Sequence, residues 1–419
     1  MNSSRRLTAA VVLPVLIAIL AAASPVAKAQ TDSKFAFGGK PARGWTRVSP
    51  TNLYSIATGY GFEPGAVVVA PEGGNYVASD APFYFSVKEP EGNYKVTAVF
   101  GDGTNESVLT VKAELRRLML EKVLVAPGKK VTRTFIVNIR TPFISATNHV
   151  HLKPREEASE IWAWDDKMTL EFNGTYPCLR SLEIKKVTVP TVFLMGDSTV
   201  CDQPAEPWNS WGQMLTRFFK PEIAVANHSE SGETVADSLR AQRFEKIFSL
   251  MKPGDYLFVQ FGHNDMKSRA PNALEIYKAD LKSVVERTRS LGGTPVLVPS
   301  MERKNGLEAP TLMGYPAAVR EVAKDENCAL IDLNAMSLVF YKALGPDLDK
   351  AFMDGTHDRD YGSYELAKCV IKGIKQDKLP LAKYIVNDFK GFDPAHPDSV
   401  ADFQMAVSPV SSTEKPLGN

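Results

Sequence analysis

Residues 191–201 read TVFLMGDSTVC. The first five are apolar or β-branched with no polar alternation, the pattern of a strand buried on both faces. An Asp-Ser-Thr directly after such a strand has three readings. It is a helix cap, a phosphate-binding turn, or the turn that presents a serine nucleophile. Three residues do not choose among these; the ends of the later strands do.

Downstream the same rhythm recurs. EIAVAN (222–227), DYLFVQFG (255–262), TPVLVPS (294–300) and CALIDL (328–333) are short apolar runs. Helix-period segments stand near 234–251, 273–291 and 316–325, and a last one near 361–375. After the first strand, Trp208, Trp211, Leu215 and Phe218 fall on one face of a further helical segment. For Trp211 that spacing reads as core, while Trp208 is equally suited to stacking on a sugar. Strands that alternate with helices specify a parallel sheet covered on both faces. In such sheets the site forms beyond the carboxyl ends of the strands.

At those ends stand Gly196-Asp197-Ser198-Thr199, then SGET (231–234), then GHND (262–265), while DGTH (354–357) precedes the last helix. Acyl transfer needs a serine hydroxyl, a base to take its proton, a carboxylate to orient the base, and donors for the oxyanion. Ser198 offers the hydroxyl, His357 the base and Asp354 the carboxylate. The Ser198 and Gly232 N–H groups and the Asn264 amide are candidate oxyanion donors. Asp197 and Asp265 read as residues that hold their turns. His263 has no further metal ligands clustered near it in sequence. Cys201, three residues past the serine, reads as structural.

These four blocks resemble the signature blocks of the SGNH (GDSL-type) hydrolase superfamily. WGQML (211–215), GHND, and the stretch MGYPAAVREVA (313–323) followed by LIDL (330–333) resemble its rhamnogalacturonan acetylesterase-like branch. The resemblance spans about residues 190–380. It implies a flavodoxin-like three-layer α/β/α domain with a parallel sheet. It also implies removal of O-acetyl groups from pectic polysaccharide, with no cofactor and no metal. In the roles it implies, Ser198, Asp354 and His357 form the triad, and Ser198, Gly232 and Asn264 the oxyanion hole. Asp197, His263 and Asp265 support them. Glu233 stands where characterised pectic members often carry arginine, a departure that bears on substrate contacts and leaves the chemistry intact. Other readings are an esterase for acetylated xylan, a lipid or a thioester, and a glycan-binding protein with an inactive hydrolase domain.

The first half of the chain has a different grammar. YFSVKEP, NYKVTAVFG, ESVLTVKAEL, KKVTRTFIVNI and KMTLEFNG are short alternating or β-branched runs separated by turn residues. They specify an all-β sandwich or jelly-roll-like domain over 30–187, similar to the modules that precede such catalytic domains, some of which bind carbohydrate. The catalytic domain is then 188–380 and the tail 381–419. Before them, Arg5 and Arg6, the apolar run Leu7–Ala23 and Ala27-Lys28-Ala29 form a secretory signal over 1–29. The expectation is an exported protein, periplasmic or extracellular, without membrane insertion after cleavage. The net charge of +1, with no basic stripe, argues against nucleic acid as a partner and leaves an acetylated poly- or oligosaccharide. Four cysteines (Cys178, Cys201, Cys328, Cys369) allow three pairings, and the expectation is buried thiols or one bridge. The Pro- and Asp-rich tail, with GFDPAHPDS at 391–399, is expected to run over the surface with its last ten or so residues disordered. The oligomeric state is not specified by these patterns.

Overall fold

All six residues of Thr191–Gly196 are buried, as a strand covered on both faces requires. In this computed structural model, which describes residues 32–101 and 104–417, that strand lies inside a five-stranded parallel sheet. The leader read at 1–29 lies outside the described residues. Across the sheet the order is Ala224–Asn227, Thr191–Gly196, Tyr256–Gln260, Thr294–Leu297, Ala329–Leu330. With the first strand between the second and the third, successive crossovers diverge at the carboxyl end of Thr191–Gly196. That divergence opens the crevice of a flavodoxin-like sheet.

Side chains alternate across this strand. Val192 and Leu194 join the core that contains Trp211, Leu215, Leu366 and Ile371. Phe193 and Met195 point to the other layer, with Val235, Ile247, Leu281, Val285 and Val319. Helices therefore cover both faces.

The first half folds into two five-stranded, largely antiparallel sheets with one core between them. Gly92–Phe100 shows why: Tyr94, Val96, Ala98 and Phe100 are buried, and the residues between them are not. From the facing sheet Phe85, Val111, Leu170 and Phe172 complete that core. Residues from Asp32 onward form one compact unit rather than two loosely tethered ones. Leu118, on a sandwich strand, packs in the core of the α/β half. Gln213 Nε2 donates to Leu115 O at 2.7 Å, and Thr216 Oγ1 to Leu118 O.

Three local expectations are corrected. The segment near 234–251 is two helices, Val235–Arg240 and Arg243–Leu250, because Gln242 adopts a left-handed φ of 63° and Ala241 O is taken by His151 N–H. Trp208 lies outside the helix Trp211–Leu215, whose cap is Ser210 accepting from Gln213 N. The end of the tail is also knitted into the molecule. Ser408 bonds Glu206 and Glu171, Glu206 exchanges backbone bonds with Val410 and Ser412, and Trp208 Nε1 donates to Ser412 O. None of the four cysteines is disulfide-bonded among the described residues, and Cys178, Cys201 and Cys369 are buried. Among the described residues no helix is long and apolar enough to cross a membrane.

Candidate active site

Ser198 occupies the turn that leaves the first parallel strand. Asp197 holds this turn, its Oδ1 accepting from Thr199 N at 3.0 Å and Thr199 Oγ1 at 2.8 Å. Burial opposes the Asp197 charge, but the facing His263 ring and the Thr199 donors outweigh it and keep the carboxyl below its usual range. His263 is fixed in turn: its Nε2 donates to Met301 O at 3.0 Å, and its Nδ1 lies 3.4 Å from Asp197 Oδ2. Gln203, which sequence patterns do not single out, donates from Nε2 to Ser198 O at 2.7 Å.

His357 Nε2 lies 2.9 Å from Ser198 Oγ, and its Nδ1 lies 3.0 Å from Asp354 Oδ2. An ionised carboxylate only accepts, so Nδ1 carries the proton and Nε2 is left to accept from the serine. Asp354 also accepts from the N–H groups of Thr356 and His357, at 2.7 and 2.8 Å. Burial works against its charge, yet the His357 ring and these amides prevail and hold the carboxyl well below the usual carboxylate range. It is therefore a stable anion against which an imidazolium can form. Trp208 meets the His357 ring edge-on, with centroids 5.8 Å apart. Its indole is thus a wall of the site rather than a helix-face core residue.

The turns that carry the candidate donors are tied together, Gln203 Nε2 reaching both Ser198 O and Ser231 Oγ and Asn264 Nδ2 reaching Glu233 O. Neither Ser198 N nor Gly232 N has an acceptor among the described residues, which leaves two amide donors available. Gly232 has a φ of 76°, a conformation in which glycine meets no Cβ penalty. Asn264 Nδ2 gives one hydrogen to Glu233 O at 3.0 Å, and its Oδ1 accepts from Lys267 at 3.0 Å, so the amide is oriented and its second hydrogen remains. Asp265, next along, accepts from Val235 N at 3.0 Å and so caps the helix Val235–Arg240. All eight residues singled out in the sequence thus gather at the carboxyl end of the sheet.

Glu233 is buried and points away from solvent toward Lys153 Nζ at 2.7 Å and Ser238 Oγ at 3.2 Å. Lys153 belongs to the connection between the sandwich strands Val131–Ile139 and Lys167–Thr175. Its ammonium also donates to Ser231 O at 2.7 Å. No local motif announces this residue, because its role exists only once the two halves are packed. A cavity of about 400 Å³ opens here, lined by His151, Lys153, Gly232, Glu233, Asp237 and Arg240 among others.

Two further features bear on chemistry. Cys201 is not a second nucleophile: its thiol lies 3.1 Å from Ser231 Oγ, and burial with neighbouring carboxylates pushes its pKa far up. Glu156, Glu160 and Glu230 bring carboxylate oxygens within 4.8 Å of one another. Arginines answer these charges, Arg155 on Glu230 and Arg243 on Glu156. Burial and then the two neighbouring carboxylates push Glu230 up from the usual carboxylate range, while Arg155 and Arg243 oppose the shift, so the cluster reads as an arginine-clamped support next to the Ser231–Gly232 turn.

A parallel α/β sheet that presents serine, histidine and aspartate in one hydrogen-bonded line, beside vacant amide donors, defines a serine hydrolase of the esterase type. The chain matches the GDSL-like Lipase/Acylhydrolase family over residues 194–363. It is 34% identical over 218 residues to the rhamnogalacturonan acetylesterase RhgT of Bacillus subtilis strain 168, covering 47% of this chain and 94% of that protein. The probable rhamnogalacturonan acetylesterase YesY of the same strain is 32% identical over 212 residues, covering 47% and 98%. The uncharacterized esterase YxiM, also of that strain, is 26% identical over 377 residues, covering 83% and 91%. The chain belongs to the SGNH (GDSL-type) hydrolases, in the rhamnogalacturonan acetylesterase-like branch, and is a carboxylic ester hydrolase with a serine nucleophile.

Proposed function

We propose that this protein is an exported carbohydrate esterase that removes O-acetyl groups from pectic polysaccharide of the rhamnogalacturonan type. The substrate class is supported by the relatives that match almost end to end, RhgT above all. Export is supported by the basic, apolar and small-residue order of positions 5–29. The chemistry rests on one observation, the line Asp354–His357–Ser198 with steps of 3.0 and 2.9 Å.

In the first half-reaction the Ser198 Oγ attacks the acetyl carbonyl carbon as His357 Nε2 takes the hydroxyl proton. Negative charge moves to the carbonyl oxygen, and the Ser198 and Gly232 N–H groups and the Asn264 amide are the donors assigned to it in this proposal. The bond to the sugar oxygen breaks, and that oxygen leaves with the proton from His357. Water then gives a proton to His357 and attacks the acetyl carbon. Acetate departs, and the proton returns to Ser198 Oγ. Asp354 remains ionised throughout and stabilises the transient imidazolium.

The test is acetate release by the purified mature protein from acetylated rhamnogalacturonan, acetylated homogalacturonan and acetylated xylan. Release from the first alone, abolished in Ser198→Ala and lowered about a hundredfold or more in kcat by Asn264→Ala, is the expected result. Serine-dependent release from xylan instead would discard the pectic substrate and keep the esterase.

A further inference from the structure

We propose that Lys153, supplied by the sandwich half, is a positioning residue for the oxyanion hole. The inference rests on reading the Gly232 N–H as an oxyanion donor. The oxygen that Lys153 Nζ holds at 2.7 Å is Ser231 O, and it belongs to the same peptide unit as the Gly232 N–H. A peptide unit is planar, so fixing its oxygen fixes the direction in which its N–H points. Gly232 needs such a restraint, because its left-handed φ of 76° is reached by a residue with little conformational preference of its own. A cationic donor on the oxygen also polarises the amide and enlarges the positive end that faces the oxyanion.

The lysine is itself held. Glu233 Oε1 binds its ammonium at 2.7 Å. At its backbone, Lys153 N donates to Glu156 Oε2 at 2.8 Å, and Arg243 secures Glu156 with contacts of 2.9 and 2.6 Å. Glu233 closes the circuit, since its own carbonyl accepts from Asn264 Nδ2. The carbonyls on both sides of Gly232 are therefore clamped, one by Lys153 and one by Asn264. Glu233 pairs with that lysine, which gives a carboxylate at this position a structural purpose.

The decisive measurement is steady-state kinetics on 4-nitrophenyl acetate for Lys153→Met and Lys153→Arg, with Ser198→Ala and Asn264→Ala alongside and Tm recorded for each. Misplacing an oxyanion donor acts on the transition state, so Lys153→Met should lower kcat by about tenfold to a hundredfold with KM nearly unchanged. Lys153→Arg, which keeps a cationic donor in reach, should recover most of that loss. A loss confined to KM or Tm overturns the inference, and so does an arginine variant no better than the methionine one. Wild-type kcat in Lys153→Met beside a crippled Asn264→Ala overturns the lysine's role and leaves the oxyanion hole standing. Wild-type kcat in both overturns the oxyanion reading beneath it.

Discussion

Asp265 follows Asn264, and its carboxyl is buried at a cost to its charge. Burial drives it up to about 7, and its Oδ2 has no hydrogen-bond partner among the described residues. The sign follows from linkage. The folded protein prefers the protonated acid, so the stability this group contributes is full below about pH 4 and is lost as pH rises through about 7. Asp265→Asn keeps an oxygen for Val235 N–H and cannot ionise. It should gain on the wild type progressively between those limits, by up to about 4 kcal/mol at pH 8, and match it near pH 4. Urea unfolding at the two pH values measures this, and a pH-independent difference would show that the carboxylate is already ionised and paired. Ser198, Gly232 and Asn264 stood out in the sequence as distinctive types after strands, and Asp354 and His357 as a carboxylate and an imidazole three residues apart just before the last helix. Gln203 and Lys153 did not, because a glutamine or lysine gives no local signal of the carbonyl it will meet after folding.

At the scale of elements, the nucleophile loop depends on a turn from the sandwich. Glu114 and Arg116, between the strands Ser107–Ala113 and Arg117–Val125, both adopt left-handed φ values, 55° and 61°. Non-glycine residues hold such values only where contacts over-determine them. Arg116 provides those contacts, donating to Gln203 O at 3.2 Å and Trp208 O at 2.9 Å and lying 2.6 Å from Glu206 Oε2. Arg116→Met removes one partner of a buried ion pair and should cost about 3 kcal/mol, with Lys112 still near Glu206 to limit the loss. Because the same guanidinium holds Trp208 against the His357 ring, kcat should fall as well. An unchanged urea midpoint would show that the turn holds without its arginine. The five parallel strands and most of the helices follow from hydrophobic period, whereas the order of the strands across the sheet emerges only from their pairing. Nor does the break at Ala241–Gln242 follow from that period, since an Ala-Gln pair is compatible with a continuous helix and only His151 N–H on Ala241 O reveals its use.

For the molecule as a whole, the question is whether the α/β half is a free-standing enzyme. RhgT and YesY each align along nearly their full length with under half of this chain, so in them a comparable unit does without most of the sandwich. Here the packing has moved on. Asp202, four residues past the nucleophile, is buried, and Arg117 and Arg140, its cationic neighbours at 3.4 and 3.6 Å, come from the sandwich. Leu118 fills the α/β core, Leu115 and Leu118 accept from Gln213 and Thr216, and Lys153 holds the turn before Gly232. The tail returns across the junction, where Ser408 joins Glu171 of a sandwich strand to Glu206 of the nucleophile loop. Residues 188–419 expressed alone should therefore leave Asp202 without these two cations, expose the face around Leu215, and lose the Lys153 clamp on the Ser231–Gly232 peptide. The expected outcome is a protein that is insoluble or melts at least about 10 °C lower, since losing several such contacts costs several kcal/mol at about 2–4 °C each. Any folded fraction should have a kcat at or below that of Lys153→Met. Calorimetry and kinetics on the two chains decide the matter: a truncated enzyme with wild-type Tm and kcat would make the sandwich a detachable module, and the charges at the junction mere packing.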